Sequence, residues 1–567
     1  MDKQNQIISA VEIKMEMSDY EAAYLLLQEL EDGNINDVLY LLKAEVCRQL
    51  GYREEILPNL IRGAAYNSNN YEIYFMMGDF YKESGDLQRA YFCYVHSACI
   101  CDQEGDKVLL DNLVEKFKEE SEIKSSRAAI IIPSVPSLKQ MESILRVCLR
   151  FCEDCRKIIV IDWNESQMVS DWLKRQKEIM VVSGNSTMPS VSYQEAADLL
   201  QKDEDILLLG KGSILLQHTL YQLRMSLYGD PNIGVVNSVT NSPVKGQSDL
   251  DSQIKQACMY ADSHNLPGKD NAVQILLPSG NTIFIKRECW TITNGFDCHY
   301  STLEGMEKDL CFQLLRNKRS LYLCYNAFSY TITQQENNQD SRLSDYNYFY
   351  QKWNVHLNYS FFGRTDILAL LTDPKDAALK VLEVGCACGA TLLALKNRYP
   401  HSELHGIELD PGPCEIASFL FPVTQGNIEE TLDYPEGFFD YIIFGDVLEH
   451  LYQPQKVLEN MKRYLNQSGI ILASIPNVMH ISVVNDLLNG YWTYQDSGIL
   501  DRTHLRFFTK TEIIRMFLQA GYQIEEMRTT QIPISEENKK MIDQLRLMSK
   551  VQPEEFMVYQ YLIKAQR

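Results

Sequence analysis

Residues 381–390 read VLEVGCACGA, and they are the clearest indication of the fold of the C-terminal part of the chain. An apolar strand-like segment ends at a glycine, and the helix-like sequence ATLLALKNRY begins just beyond a second glycine. Glycines after a strand allow a tight turn and let a ligand approach the opening of the next helix. The two cysteines alone would suggest a metal, but no second Cys or His pair lies at a suitable spacing in the sequence. We therefore expect a nucleotide site, with the cysteines as small buried residues.

Acidic residues accompany this turn at two strand ends. Glu383 precedes the first glycine in the pattern Glu383-x-Gly385-x-x-x-Gly389, and Glu408 closes the next strand-like segment in GIELD. An acid at the end of the second strand of such a site accepts hydrogen bonds from ribose hydroxyls. The segments KVLEVG, ELHGIEL, FDYIIFGD and GIILASIP read as strands of one α/β unit, and GYQIEEM and EFMVYQYLIKA as an antiparallel hairpin. A Rossmann-like module without a cofactor is the alternative.

At these residues the chain resembles the class I S-adenosylmethionine-dependent methyltransferases, over about residues 359–567. The resemblance implies that the EVGCACG loop contacts the methionine part of the cofactor and that Glu408 binds the ribose. Asn427 stands where an Asp more often contacts the adenine amine, and Asp446 begins the segment that borders the transferred methyl group. Ala387 replaces the family's usual glycine and adds one methyl group to the turn. The cofactor-binding residues that the resemblance implies are Glu383, Gly385, Cys386, Ala387, Gly389, Glu408, Leu409, Asn427, Ile428 and Asp446.

Methyl transfer needs a base only when the acceptor is a hydroxyl or a protonated amine. Candidates for that base lie in DVLEHL, which holds Glu449 and His450, and in GILDRTHLRFFT. The second segment, with SIPNVMH before it, resembles a subgroup of bacterial methyltransferases often linked to cell-surface glycan synthesis. The structural alternative is that Asp501 and Arg506 pair with each other and fix the loop. The candidate catalytic residues of this domain are His450, Asp501, His504 and Arg506.

The overall charge argues against nucleic acid as the main partner, although it leaves room for a local basic pocket. The formal net charge is −22, from 76 acidic and 54 basic side chains, whereas nucleic-acid binding needs clustered Lys and Arg. The N-terminal sequence MDKQNQIISAVEIKMEM lacks the basic start and apolar run of a signal peptide, and no run approaches 18 apolar residues. The 15 cysteines, scattered through apolar segments, are typical of reduced thiols. We expect a cytoplasmic protein with no transmembrane segment and no nucleic-acid partner.

The N-terminal segment repeats with a period of 34 residues. Gly51 and Gly85 are 34 residues apart, as are Ala44 and Gly78, and LLKAEVCRQLGYREEI aligns with FMMGDFYKESGDLQRA without gaps. Each copy predicts two helices joined by a short turn. The pattern resembles tetratricopeptide (TPR) repeats, which imply a concave surface for a protein partner or for self-association. The alternative is a helical collar that stabilises the rest of the chain.

From Arg127 onward, strand-like and helix-like segments alternate, beginning with AAIIIP, ESILRVCLRFCEDC and KIIVID. This alternation indicates a parallel sheet with crossover helices. LLPSGNTIFIKRECWTITNGFDCHY, followed by MEKDLCFQLLRNKRSLYL, resembles the inverting glycosyltransferases of family 2, which have the GT-A fold. The resemblance implies that Asp162 contacts the uracil or ribose of a sugar nucleotide and that Glu307 occupies the position of the catalytic base.

The metal-binding acids of that glycosyltransferase family are missing here. After the strand DILLL the chain has Gly210, Lys211, Gly212 and Ser213, and a late metal-binding histidine is absent from NAFSYT. A divalent metal is therefore not expected in this domain. Either Lys211 replaces the charge of the metal at the diphosphate, or the domain is degenerate and only binds or supports its neighbours.

Three cysteines of the middle domain have the same spacing as a redox motif. Cys148, Cys152 and Cys155 have the CxxxCxxC spacing of radical enzymes that hold an iron–sulfur cluster. The same residues fall on one apolar helix face with Ile144 and Phe151, so we expect them in the core.

The sequence thus predicts a multidomain protein with α and α/β parts. The predicted domains are TPR-like helical repeats at 1–120, a GT-A-like α/β domain at 127–335, a linker at 336–358 and a Rossmann-like class I methyltransferase with a C-terminal antiparallel hairpin at 359–567. The expected function is S-adenosylmethionine-dependent methylation of a sugar or glycan intermediate, or of a glycosylated acceptor. The alternatives are a bifunctional glycosyltransferase–methyltransferase and a non-catalytic scaffold of a glycan-modifying complex. Expected partners are a glycan or sugar-nucleotide substrate and a protein bound by the repeats.

Overall fold

The computed structural model describes residues 2–28, 36–125, 127–152, 157–241, 249–268, 271–278, 282–332, 339–357, 360–430 and 432–567. The chain divides into two compact units, Met1–Tyr348 and Phe349–Arg567. Within the described ranges, no helix has both the length and the apolar character that crossing a membrane requires.

Helices alone form the first part of the N-terminal unit. They are α1 (Asp2–Glu16), α2 (Tyr20–Gln28), α3 (Asp37–Leu50), α4 (Arg53–Tyr66), α5 (Tyr71–Glu83), α6 (Leu87–Ile100) and α7 (Glu104–Glu120). Gly51 and Gly85 follow α3 and α5 with φ of +78° and +79°, a conformation that glycine adopts without steric cost. A side chain at Gly78 would overlap the ring of Tyr94, so this glycine lets α5 and α6 pack closely. The predicted helix–turn–helix pairs are present, and their assignment to the TPR family stays a prediction.

An α/β layer follows in the same unit. Its strands are β1 (Arg127–Pro133), β2 (Lys157–Asp162), β3 (Ile179–Ser183), β4 (Glu204–Leu209), β5 (Ser213–Ile214), β6 (Ile233–Thr240), β7 (Ala272–Ile275), β8 (Thr282–Ile285) and β9 (Ser320–Thr331). Its helices are α8 (Leu138–Phe151), α9 (Gln167–Leu173), α10 (Pro189–Asp198), α11 (Thr219–Leu227), α12 (Leu250–His264), α13 (Arg287–Thr293), α14 (Leu303–Arg316) and α15 (Gln339–Trp353), of which the residues up to Tyr348 belong to this unit.

The sheet of this unit is mixed. Its strand order is β3-β2-β1-β4-β8-β6-β9-β5, with β7 also paired to β9. Strands β1 to β4 are parallel, as the alternation predicts, whereas β8 runs antiparallel between β4 and β6. The parallel order therefore holds for the first half of the sheet, and its identification as a GT-A domain stays a prediction.

The helical repeats and the α/β layer meet at buried aromatic side chains. Tyr221 of α11 stacks on His96 of α6 with 4.2 Å between ring centroids, and its hydroxyl lies 3.4 Å from the sulfur of Cys93. The rings of His96 and His218 approach to 3.0 Å between nitrogens. One face of the repeats thus packs on its own chain, which favours the collar interpretation for that face.

Cys148 occupies the core, as its helical spacing predicts. It is fully buried on α8, the backbone N–H of Leu215 donates to its sulfur at 3.4 Å, and burial raises the pKa of its thiol to about 12. Cys152 is half-buried at the end of α8, and Cys155 lies outside the described residues. The core interpretation is therefore confirmed for Cys148.

The predicted linker at 336–358 is in fact largely helical, because α15 covers Gln339–Trp353. Asp345 is buried and accepts hydrogen bonds from the backbone N–H groups of Ser301 and Thr302, each at 2.8 Å. The Tyr346 hydroxyl donates to Glu304 at 3.1 Å. The polar side chains that suggested a linker thus bind the start of α14.

The C-terminal unit is a second α/β layer. Its strands are β10 (Lys380–Val384), β11 (Glu403–Glu408), β12 (Val423–Gln425), β13 (Phe439–Gly445), β14 (Leu465–Pro476), β15 (Gln523–Gln531) and β16 (Val558–Gln566). Its helices are α16 (Thr365–Leu368), α17 (Ala390–Arg398), α18 (Pro411–Ser418), α19 (Pro454–Met461), α20 (Ile481–Leu488), α21 (Lys510–Gln519), α22 (Glu536–Leu545) and the 3₁₀ segments Leu448–His450 and Pro553–Met557.

The strand order of this sheet is β12-β11-β10-β13-β14-β16-β15. Strands β10 to β14 are parallel, and β16 lies antiparallel to both β14 and β15, so the predicted C-terminal hairpin is confirmed. From β10 the chain proceeds to β11 on one side and later to β13 on the other. The carboxyl ends of β10 and β13 therefore flank a topological switch point, where ligands bind in open α/β sheets.

Candidate functional site

The turn after β10 has a left-handed backbone at three positions. Gly385, Ala387 and Gly389 have φ of +68°, +46° and +83°, and Gly389 leads directly into α17. A Cβ on Gly385 would lie 2.7 Å from a methyl group of Val447, so only glycine leaves this part of the crevice open. Ala387 holds the same backbone conformation with a side chain, at a steric cost of about 1–2 kcal/mol.

Glu408 closes the next strand and binds this turn. Its Oε2 accepts a hydrogen bond from the backbone N–H of Ala387 at 2.7 Å, and its Oε1 accepts one from the N–H of Asp410 at 2.9 Å. The side chain is 8% exposed, and burial raises the pKa of its carboxyl. A carboxylate oxygen has two acceptor positions, so each oxygen can also take a ribose hydroxyl. The open turn and this carboxylate together fit an adenosyl cofactor.

The two cysteines of the turn are buried. Cys386 is 3% exposed and packs against Gly406 of β11, where a Cβ would lie 2.6 Å from its sulfur, and Cys388 is fully buried. Burial raises the pKa of both thiols. They therefore fill space beneath the turn, as the sequence predicts.

Glu383 lies under the turn on β10 and is 3% exposed. Burial raises the pKa of its carboxyl to about 8, and its Oε2 has no hydrogen-bond partner among the described residues. A buried oxygen without a hydrogen-bond partner is costly, so the Oε2 of Glu383 is available to accept a hydrogen bond from a bound ligand.

The segments after β11 and β12 carry the predicted adenine-side residues. Leu409 is 65% exposed directly after Glu408 and offers an apolar face, whereas Ile428 is buried. Asn427 is exposed, and its Oδ1 accepts a hydrogen bond from the backbone N–H of Glu429 at 3.0 Å. The binding roles of these residues remain predictions.

Asp446 follows β13 and is held by a residue that sequence reasoning missed. Arg364, 7% exposed, pairs with Asp446, donates to the Ser474 hydroxyl at 2.8 Å and pairs with Asp366 at 2.9 Å. Asp446 itself has φ of +55° and accepts from the Ser474 hydroxyl at 2.6 Å and from Gln560 at 3.0 Å. Asp366 is a local partner of Arg364, but Asp446 and Ser474 lie far along the chain, so no local spacing marks Arg364 as the residue that holds Asp446.

Glu449, His450 and His504 form a cluster beyond Asp446. One ligand-type atom from each lies within 4.8 Å of the other two, and the two imidazole rings meet edge to face at 4.7 Å. Glu449 is 1% exposed; burial first and the Asp446 carboxylate second raise the pKa of its carboxyl well above the usual range. Burial and the neighbouring His504 lower the pKa of His450. The structure thus brings two predicted catalytic histidines together.

The suggested ion pair between Asp501 and Arg506 is wrong. Asp501 accepts from the backbone N–H and the hydroxyl of Thr503, at 2.8 and 2.7 Å. The Arg506 guanidinium donates to the carbonyl oxygen of Tyr452 at 2.7 Å. Both residues therefore order the backbone around His504, each through its own partner.

In the N-terminal unit, Asp162 ends β2 and Lys211 follows β4, strands that both pair with β1. Asp162 is 4% exposed and accepts from the N–H of Asn164 at 3.0 Å, while the Lys211 ammonium lies 2.7 Å from Glu165. Glu307 is buried on α14, and burial raises the pKa of its carboxyl to about 8. The parallel strands place Asp162 and Lys211 at one edge of the sheet.

The C-terminal region resembles known proteins. Residues 357–527 match a family model described as a methyltransferase domain. Ajmaline N-methyltransferase of Rauvolfia serpentina is 29% identical over 109 residues, 18% of this chain and 37% of its own. A probable S-adenosylmethionine-dependent methyltransferase of Mycolicibacterium smegmatis is 26% identical over 172 residues, 29% of this chain and 60% of its own.

A crystal structure of an S-adenosylmethionine-dependent methyltransferase from Archaeoglobus fulgidus covers 39% of this chain and 99% of its own, with 16% identity and a TM-score of 0.28. The chain spans between about one third and two thirds of the length of the two curated relatives. The matched residues include β10 to β14, the glycine turn and Glu408. Residues 357–527 are therefore a methyltransferase domain of the S-adenosylmethionine-dependent class, with a Rossmann-like fold.

Proposed function

We propose that the chain transfers a methyl group from S-adenosylmethionine to a hydroxyl of a sugar, of a glycan intermediate or of a glycosylated acceptor. The observation that carries the proposal is the cluster of His450 and His504, within electrostatic reach of Asp446. When bound, the cofactor supplies a methyl group on a sulfonium, which is already activated. The chain must hold the acceptor in line and take up the proton of its hydroxyl.

The protonation states of the cluster suit that task. The Nδ1 of His450 lies 3.2 Å from the carbonyl oxygen of Thr503, and the Nδ1 of His504 lies 2.9 Å from the carbonyl oxygen of Ile499. A carbonyl oxygen only accepts, so Nδ1 carries the proton and Nε2 the lone pair. Because the pKa of His450 is lowered, its Nε2 is free of a proton at neutral pH and can accept one.

Exposed aromatic side chains support a carbohydrate acceptor. Trp492 and Tyr494 are 39% and 50% exposed, and both rings contact Phe507, at 5.3 and 6.4 Å between centroids. The Phe507 ring lies 6.2 Å from that of His504. Aromatic faces bind the apolar C–H faces of pyranose rings, so a sugar on this surface would present hydroxyls toward the histidines.

Assays with methyl-labelled S-adenosylmethionine and a panel of sugar nucleotides and glycans test the proposal. We expect alkali-stable methyl ethers, and His450→Gln is expected to slow their formation by roughly 10²- to 10⁴-fold while leaving S-adenosylhomocysteine binding unchanged. His401→Gln, at an exposed position of the same unit, is the matched control. Transfer only to amines or carboxylates would contradict the proposal.

A second activity would make the protein a bifunctional glycosyltransferase–methyltransferase. It is supported by the edge that carries Asp162 and Lys211 and by Glu307, whose pKa of about 8 is close to that of a useful base. The ion pair of Lys211 with Glu165 favours instead a degenerate domain, because the ammonium already has an anion. Titration with nucleotide sugars, in the wild type and in Lys211→Met, distinguishes the two.

A non-catalytic scaffold remains the third possibility, with the helical repeats as the surface for a protein partner. Glu408→Ala separates it from the proposed enzyme. If this variant loses cofactor binding and biological activity together, the scaffold alternative fails. If biological activity survives without cofactor binding, the proposed methyl transfer is not the function.

A further inference from the structure

We propose that Glu449, His450 and His504 bind a divalent transition-metal cation of the Mn²⁺, Co²⁺ or Zn²⁺ class. Two imidazole nitrogens and one carboxylate are a ligand set that suits these ions, and they leave other coordination positions open. In the described part of the chain, one further group of His, Cys and acidic side chains is as close together, Asp297, Cys298 and His299, of which Cys298 and His299 are exposed.

The spacing of the three side chains is close to that of a metal site. One ligand-type atom from each lies within 4.8 Å of the other two. Ligand atoms that each lie about 2.1 Å from one tetrahedral ion are about 3.4 Å apart. Movements of less than about 1 Å per side chain therefore bring the three atoms to coordination distance.

A second observation points to a cation at this place. Glu449 is 1% exposed, and within the described residues neither of its carboxylate oxygens has a hydrogen-bond partner. A buried carboxylate without partners is costly, and metal coordination is one of the few ways to compensate it. The two histidines, its neighbours in the cluster, are the complementary ligands.

The histidines are also oriented as metal ligands usually are. Each has its Nδ1 within hydrogen-bond distance of a backbone carbonyl oxygen, that of Thr503 for His450 and that of Ile499 for His504. Such a bond fixes the ring and leaves the Nε2 lone pair available for a metal.

The backbone holds the ligands together although they come from two separate segments of the chain. The carbonyl oxygen of Glu449 accepts hydrogen bonds from the N–H groups of Leu505 and Arg506, at 2.9 and 3.0 Å. The segment that carries His504 is thereby fastened to the 3₁₀ segment that carries Glu449 and His450. The site is preorganised by main-chain bonds rather than by the metal alone.

The role of the cation rests on the proposed function. A metal ion at this cluster would bind the acceptor hydroxyl through an open coordination position, orient it and lower its pKa. With the ion bound, His450 would serve as a ligand and not as the base, and the hydroxyl, made more acidic by the ion, would lose its proton to solvent. Discrimination between acceptors would then depend on an oxygen that can reach the ion, as a sugar hydroxyl on the Trp492 and Tyr494 surface can.

Calorimetric titration of the EDTA-treated full-length chain with Mn²⁺, and then with Zn²⁺, tests the site. We expect one ion per chain at the cluster, and an affinity reduced by roughly tenfold or more in both Glu449→Gln and His504→Gln. His299→Gln, at the exposed group, is the matched control and is expected to bind as the wild type does.

S-adenosylhomocysteine binding by the same samples shows that the variants are folded and reports separately on the cofactor site. No binding of either ion by the wild type, or equal binding by the wild type and by Glu449→Gln, would overturn the metal site and leave the proposed methyl transfer standing. Metal binding without any methyl transfer would uphold the site and refute the proposed function.

Discussion

The carboxylate of Glu408 accepts a hydrogen bond from the backbone N–H of Ala387, with 2.7 Å between Oε2 and the nitrogen. This bond joins the end of β11 to the middle of the turn after β10. It holds the turn at the mouth of the crevice and fixes the carboxylate where a ribose would lie. This one hydrogen bond therefore positions both parts of the cofactor site, the turn after β10 and the Glu408 carboxylate.

Glu408→Gln is expected to weaken S-adenosylhomocysteine binding by about ten- to a hundredfold. Hydrogen bonds to a charged group contribute about 1.5–3 kcal/mol, and glutamine offers one carbonyl oxygen where the carboxylate offers two. Isothermal titration calorimetry measures the change. Glu403→Gln, at the exposed start of the same strand, is the control and should bind normally. Equal affinity of the two variants would remove Glu408 from the site.

Ala387→Gly is expected to raise the free energy of unfolding by about 0.5–1 kcal/mol. The left-handed backbone at φ of +46° strains alanine more than glycine, which outweighs the greater entropy of glycine in the unfolded chain. Ala394→Gly, inside α17, should instead destabilise by about 1 kcal/mol. Urea denaturation compares both with the wild type, and a destabilised Ala387→Gly would contradict the strain.

Glu383 makes stability depend on pH in a predictable direction. The pKa of its carboxyl is about 8 in the folded chain, against the ordinary value of 4.5 that it regains on unfolding, so between these values only the folded state holds the proton. The free energy of unfolding therefore falls as pH rises through this window, by up to ~1.4 kcal/mol per pH unit, and levels off above about pH 8.

Glu383→Gln replaces the protonated acid with a neutral group and should flatten that dependence. Urea denaturation at several pH values between about 5 and 9, the range over which the carboxyl titrates, measures the slope in the variant and in the wild type. Glu403→Gln again serves as control and should keep the wild-type slope. Parallel slopes in all three proteins would show that Glu383 is ionised in the folded chain.

Arg364→Met is expected to cost about 1.5–3 kcal/mol of stability, because it removes charge-assisted hydrogen bonds to Asp446, whose side chain is 27% exposed and keeps Ser474 and Gln560 as partners. Arg463→Met removes a surface ion pair with Glu436 and should cost less than about 1 kcal/mol, because the side chains of Arg463 and Glu436 are 59% and 69% exposed. Thermal unfolding compares the two. Equal small losses would mean that the Arg364 pair is not needed.

The sequence was sufficient where local pattern decides structure. The strands β10 and β13 are largely apolar and buried, β11 is buried over its second half, and the ends of β10 and β11 place Glu383 and Glu408 beside the crevice. The glycines of the turn allow a tight bend between a strand and the next helix, so the turn can be recognised from the order of its residues along the chain. The same holds for Cys148, whose helical spacing alone put it in the core.

The sequence was insufficient where partners are distant. Arg364 and Asp446 meet because the strand order brings the end of β13 to the segment before α16, and no spacing encodes that contact. The predicted ion pair between Asp501 and Arg506 was wrong because the prediction considered the side-chain charges and not the hydrogen bonds of the backbone. The Glu449 carbonyl oxygen binds the N–H of Arg506, and the guanidinium then reaches Tyr452.

The polar residues of α15 gave no indication of its helix for a related reason. Asp345 and Tyr346 bind residues at the start of α14 that lie more than a helix length away along the chain. A polar composition is therefore compatible with an ordered helix when distant groups satisfy its side chains.

Calorimetric titration of the purified chain with S-adenosylhomocysteine is the most direct test of the cofactor site. We expect saturable binding of one molecule per chain, lost or strongly weakened in Glu408→Gln and retained in Glu403→Gln. A folded chain that shows no heat of binding and no shift in melting temperature at saturating concentrations would contradict it, because the turn and Glu408 would then hold no cofactor.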